Sequence, residues 1–106
     1  MQIAISRNNV PIRLTNERWF HISTGHPEIA PFYDYIPEAI EIPDTIYKGN
    51  EGELIATKQI VYIEQLFFIV VVYKELSKTD GFIITAFLTN KLGYLSKKEI
   101  LWKQQK

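Results

Sequence analysis

The segment Leu66-Phe67-Phe68-Ile69-Val70-Val71-Val72-Tyr73 leaves this chain few ways to fold. β-Branched and aromatic side chains suit the pleat of an extended strand, and successive residues of a strand point to opposite faces. A strand that is apolar at every position has to be covered on both faces, which puts it in the middle of a sheet. The run is far shorter than the ~20 residues of a membrane-spanning helix, so no such span explains it. Neighbouring segments supply its partners. Leu54 to Ile63 mixes polar and apolar residues, Phe82 to Thr89 is again β-branched and aromatic, and Ser77 to Gly81 reads as the turn before it. An antiparallel meander follows, with Leu66 to Glu75 at its centre. Its first link is expected at Glu64-Gln65, a two-residue hairpin loop that sets Ile63 opposite Leu66. That register puts Lys58 on the face of Tyr73 and Thr57 with Lys74 on the other. Leu95, Ile100, Leu101 and Trp102 fit either a last edge strand or a docking turn.

The N-terminal half has the helical period instead. Thr15 and Asn16 are good N-caps, and Glu17 stands where the helix dipole favours a negative charge. Gly25 and the His26-Pro27 pair end that helix, since the residue before proline is pushed out of helical geometry. A second helix is expected from about Pro31 to Glu41, with Phe32, Ile36, Ala39 and Ile40 on one face and Pro37 kinking or dividing it. The expected fold class is α+β. N-terminal helices, about residues 13–44, pack on a C-terminal antiparallel sheet of three to four strands, about residues 53–102, in one domain spanning residues 1–106.

Composition narrows the chemistry. The absence of cysteine removes disulfides, thiolate metal ligands and cysteine nucleophiles together, and points to the cytoplasm. Met1 to Pro11 is too polar for a signal peptide. Twelve basic and twelve acidic residues cancel, but unevenly: residues 1–27 carry +2, residues 28–53 carry −6 and residues 54–106 carry +4. The basic C-terminal half is either a solvated sheet surface or a locally positive one. No phosphate loop, dinucleotide fingerprint, HExxH helix or nucleophile elbow is present.

Both histidines lie in His21-Ile22-Ser23-Thr24-Gly25-His26, near the end of the first helix. Histidine moves protons near neutral pH, so the pair is an acid/base candidate; the competing reading makes one a helix-end partner and the other a packing residue. With only Glu28 beside them, a metal site lacks ligands, and no cofactor is expected. Lys74 ends the central strand, where a long cation can reach the sheet edge, and Thr85 is the one polar side chain of Phe82 to Phe87.

Leu14-Thr15-Asn16-Glu17-Arg18-Trp19-Phe20-His21-Ile22, His26-Pro27-Glu28, Pro43-Asp44, Val70-Val71-Val72-Tyr73-Lys74 and Gly81-Phe82-Ile83-Ile84-Thr85-Ala86-Phe87, in this order and spacing, resemble a known family. It comprises the small phage and bacterial domains grouped with the barnase, EndoU, colicin and RelE-like metal-independent ribonucleases. The resemblance covers roughly residues 13–102. It implies helices on a four-stranded antiparallel sheet, RNA cleavage without metal by 2′-hydroxyl attack on the adjacent phosphate, and a toxin neutralised by an antitoxin or immunity protein. Matched by position, it implies roles for His21, His26, Lys74 and Thr85, of which His21 is the first candidate for acid/base work. Lys58, Arg18 and Tyr73 are expected to bind the RNA. The rival expectation is a non-catalytic α+β interaction module of the same fold.

Overall fold

Met1–Gln105 are described by a computed structural model. The chain opens with a hairpin that its sequence leaves unassigned. β1 (Gln2–Ile5) and β2 (Pro11–Leu14) pair antiparallel, with Gln2 opposite Leu14 and Ile5 opposite Pro11. Proline is tolerated at the first position of a strand, and Asn9 takes a left-handed φ of 65° in the turn, a conformation asparagine adopts more readily than most residues.

Helix α1 (Asn16–Gly25) begins where its cap predicts: the Thr15 side chain accepts the Arg18 N–H at 3.1 Å. A 3-10 helix (Pro27–Phe32) and helix α2 (Tyr35–Glu41) stand in place of the helix expected from Pro31, with the break at Tyr33-Asp34 rather than at Pro37. Pro37 falls in the first turn of α2, where a missing N–H breaks no helical bond. Phe32, Ile36, Ala39 and Ile40 are all buried, as their spacing requires.

Strands β3 (Thr45–Lys48), β4 (Leu54–Tyr62), β5 (Gln65–Glu75) and β6 (Gly81–Thr89) follow, and after a 3-10 turn at Gly93–Leu95 the chain ends on β7 (Ile100–Lys103). The last segment is thus both docking turn and edge strand. The sheet corrects the expected three or four antiparallel strands behind N-terminal helices. Among the described residues it has seven strands in the order β1-β2-β6-β5-β4-β3-β7, and it is mixed, because β2 runs parallel to β6 through Ile12–Gly81 and Arg13–Phe82. β5 stands in the middle. The loop joining it to β4 is Ile63-Glu64 rather than Glu64-Gln65, so Tyr62 faces Gln65, Lys58 faces Ile69 and Thr57 faces Val70.

One face of the sheet carries the main core. Ile12, Leu14, Ala56, Ile69, Val71, Tyr73 and Ala86 pack there against Ile22, Ile29, Ile36 and Ile40 of the helical segments. The other face, here the outer face, holds a smaller cluster in which Leu95 of the 3-10 turn covers Ile55 and Val70 beside Tyr47, Val72, Phe87 and Leu92. The sheet curls around α2, which touches β1, β4 and β5. Its two opposite margins meet as a result: Arg7, in the β1–β2 turn, lies 4.5 Å over the ring of Trp102 in β7. No helix among the described residues is long and apolar enough to cross a membrane.

Candidate functional site on the outer face

Strand pairing sorts the sequence-derived candidates by face. Thr85 lies opposite Val72 and Phe87 opposite Val70, so both belong to the outer face, and Lys74, two residues beyond Val72, belongs to it too. Tyr73 points the other way. It is 1 % exposed in the main core, and burial, seconded by the Glu75 carboxylate, raises its pKa. A phenol so placed cannot meet RNA, so its expected substrate-binding role is withdrawn. Lys58 is also on the helical side, where its Nζ donates to the Ile42 carbonyl at 2.8 Å, just past the end of α2. It closes a helix end rather than a phosphate site.

The two histidines separate. His21 is exposed on α1 with its ring edge-on to Phe20, 6.2 Å between centroids, and no hydrogen bond or ion pair among the described residues joins it to Lys74 or Thr85. His26 caps α1, donating its backbone N–H to Ile22 O at 2.7 Å. There α1 passes the part of β6 beyond the end of β2, and the chain runs on along the helical side, where Ile29 and Phe32 are buried in the main core. The His26 ring sits 5.5 Å from that of Phe87, and its Nδ1 is 3.6 Å from Glu28 Oε2. The Pro27 between them starts the 3-10 helix and fixes this approach.

Further along the outer face, Phe87 meets Tyr94 at 6.4 Å, and burial, with Tyr47 as a lesser cause, raises the pKa of the Tyr94 hydroxyl. Side chains two apart on a strand are roughly 6.6 Å apart, so Thr85 lies one step from the Phe87 and His26 pair. Lys74 follows beyond Val72 on β5, and its Nζ leans over to the β3–β4 loop, donating to the Glu51 carbonyl at 3.4 Å. Arg18 is exposed beside Arg13, Thr15, Phe82 and Ile83 in a shallow cavity of about 180 Å³ at the β2–β6 junction. Arg13 is not free to bind a ligand there, being paired with Asp80.

His26, Thr85 and Lys74 thus mark out a strip of the outer face, each half-buried, with Glu28 beside the histidine at one end and the Lys74 ammonium over the β3–β4 loop at the other. Such a strip can move a proton and hold a phosphate. Glu28 was legible in His26-Pro27-Glu28, and Phe87 in its two-residue spacing from Thr85, whereas nothing in the sequence marks Tyr94. No group of three His, Asp or Glu that could hold a metal ion exists among the described residues. Comparison of the chain with family models, curated proteins and solved structures finds no match.

Proposed function

We propose that this protein is a metal-independent endoribonuclease whose reacting groups are His26, Thr85 and Lys74. The observation that carries the reading is that all three reach the outer face, with Glu28 Oε2 at 3.6 Å from His26 Nδ1. A carboxylate at Nδ1 orients the imidazole and leaves Nε2 for the substrate. Nε2 takes the proton of a 2′-hydroxyl, the freed oxygen attacks the adjacent phosphorus, and the 5′-oxygen leaves with a proton from water, giving a cyclic phosphate. Lys74 and the Thr85 hydroxyl stabilise the negative charge gathering on the phosphoryl oxygens. Phe87 and Tyr94 offer faces on which unpaired bases stack, the usual route to single-stranded RNA. The resemblance to phage and bacterial ribonuclease toxins supports a cytoplasmic setting and a neutralising antitoxin or immunity protein.

The deciding experiment is incubation with total tRNA and ribosomal RNA in EDTA. His26→Ala should lose cleavage by about 10²–10⁴-fold, the usual contribution of a general acid/base, at an unchanged melting temperature, while His21→Ala keeps wild-type activity. An inactive wild type, or an active His26→Ala, would refute it. A second reading, a non-catalytic module that binds a protein partner, is favoured by the tip of the β4–β5 hairpin. Val61 and Ile63 are 73 % and 77 % exposed there, and exposed apolar clusters mark interaction sites. RNA binding insensitive to salt, or none, would favour it, because each neutralised phosphate releases counterions.

A further inference from the structure

On the helical side of the sheet, a groove of about 490 Å³ opens at the rim of the main core, between the end of the 3-10 helix, the β4–β5 hairpin and the end of β6. Three of its lining side chains are aromatic: Phe32, Tyr62 and Phe67. Phe32 is fixed in the core, and the half-exposed ring of Tyr62 stands at 71° to it with 4.9 Å between centroids, so the two rings make a corner. Phe67, opposite Ile60 in the β4–β5 ladder, and Leu88, opposite Ile69, are partly buried beside them. Glu28 is the one charged residue of the lining, and among the described residues no hydrogen bond engages its carboxylate, whose Oε2 lies 3.6 Å from His26 Nδ1. The Thr89 hydroxyl is spent on its own turn, donating to the Lys91 carbonyl at 2.9 Å and accepting the Lys91 N–H at 3.2 Å. Glu28 also begins the acidic part of the chain, residues 28–53, which carries −6.

The face of an aromatic ring is the negative end of its quadrupole, so walls of Phe and Tyr attract a cation while offering it no strong hydrogen-bond acceptor. A primary ammonium, with three N–H donors to satisfy, would lose more water here than one carboxylate replaces. An ammonium whose hydrogens are replaced by methyl groups has no donor to leave unpaired, and its charge is spread over an apolar surface that suits Leu88 and the rings. A neutral apolar ligand would gain nothing from Glu28, and an anion is repelled by the carboxylate and the ring faces alike. We propose that this groove binds a small organic cation bearing a quaternary ammonium group: the methylated head sits in the corner of Phe32 and Tyr62 against Phe67, with the Glu28 carboxylate as its counter-ion. The size fits, since small-molecule sites commonly run to about 300–1,000 Å³. The inference stands apart from the ribonuclease reading, because the groove lies on the helical side of the sheet, away from Thr85 and Lys74, and needs no RNA.

The test titrates the full chain with choline and with its neutral carbon isostere, in which a tert-butyl group replaces the trimethylammonium head, and follows both by NMR. Choline should bind at least about tenfold more tightly than the isostere, with nuclear Overhauser contacts from its methyl protons to the rings of Tyr62 and Phe67. Tyr62→Leu keeps an apolar wall but removes the ring, so it should weaken choline binding about three- to thirtyfold, leave the isostere unchanged and hold the melting temperature, while Tyr62→Phe binds choline as the wild type does. Glu28→Gln should weaken choline and spare the isostere. If choline shows no saturable binding, if the two ligands bind equally, if Tyr62→Leu binds choline like the wild type, or if the methyl contacts fall on Phe87 and Tyr94 instead, the site is overturned. None of these readouts involves RNA, so a choline-selective groove on a protein that cuts nothing, or cleavage without such a groove, decides the two readings separately.

Discussion

At Gly81 a Cβ would lie 2.5 Å from Ile12 Cδ1 and 2.7 Å from the carbonyl oxygen of Lys74. The methyl end of an isoleucine can shift, but a carbonyl held in a sheet cannot, so the fit of β6 between β2 and β5 depends on the missing side chain. Gly81→Ala should lower stability by about 1–3 kcal/mol, the usual cost of an overpacked core, read from the midpoint of urea unfolding. An unmoved midpoint would mean the strands are not this close. Residue types with a single chemical use were the most legible of the candidate site. His26, Lys74 and Thr85 are identifiable from what imidazole, ammonium and hydroxyl groups do. Tyr73 was misread because a tyrosine fills a core as readily as it meets a ligand, and only its face, set by strand pairing, decides between them. Lys58 failed similarly: the carbonyl it serves, Ile42, is 16 residues away in the chain.

The β4–β5 hairpin turns on Ile63 and Glu64, with φ of 49° and 61°. Positive φ at both loop positions suits the right-handed twist of the strands, but such turns ordinarily use Asn-Gly, and a β-branched residue is poorly suited to that region. Left-handed geometry costs an L-residue roughly 1–2 kcal/mol. The double change Ile63→Asn with Glu64→Gly should therefore stabilise the protein by about 1–2 kcal/mol, visible as a rise of several degrees in Tm. A lower Tm would show that the Ile63 side chain makes contacts worth more than the strain. The missing turn signal also explains the misplaced loop, since Val61-Tyr62-Ile63 runs apolar up to the bend. Moving a two-residue loop by one position moves both strands, so partners change by two and each side chain keeps its face. Thr57 and Lys74 consequently share the outer face as expected, although Thr57 pairs with Val70.

The whole molecule depends on a hairpin with almost no sequence signature. Four-residue strands alternate Gln2, Arg13 and Pro11 with apolar residues, and only the core reveals their weight: Ala4, Val10, Ile12 and Leu14 are all at most 5 % exposed. Their partners are distant in the chain, beyond the reach of any local pattern. A chain beginning at Thr15 should lose the cooperative unfolding transition and bind a hydrophobic dye, because the β6 edge and one side of α2 are laid bare. A sharp transition at the original Tm would sink this. The helices around Ile36 and Ile40 and the meander around β5 were legible, since period and apolar runs are local properties; the mixed order of the sheet was not. The link between β2 and β6 also governs the order in which a growing chain can organise itself. On a ribosome working at about 5–20 residues per second, the hairpin waits on the order of 3–14 s from Ile12 to Gly81, and Arg7 waits longer still for Trp102. The first hairpin therefore stays without its sheet partner until β6 has been made, and the His26 strip, bounded by β6, cannot form before then.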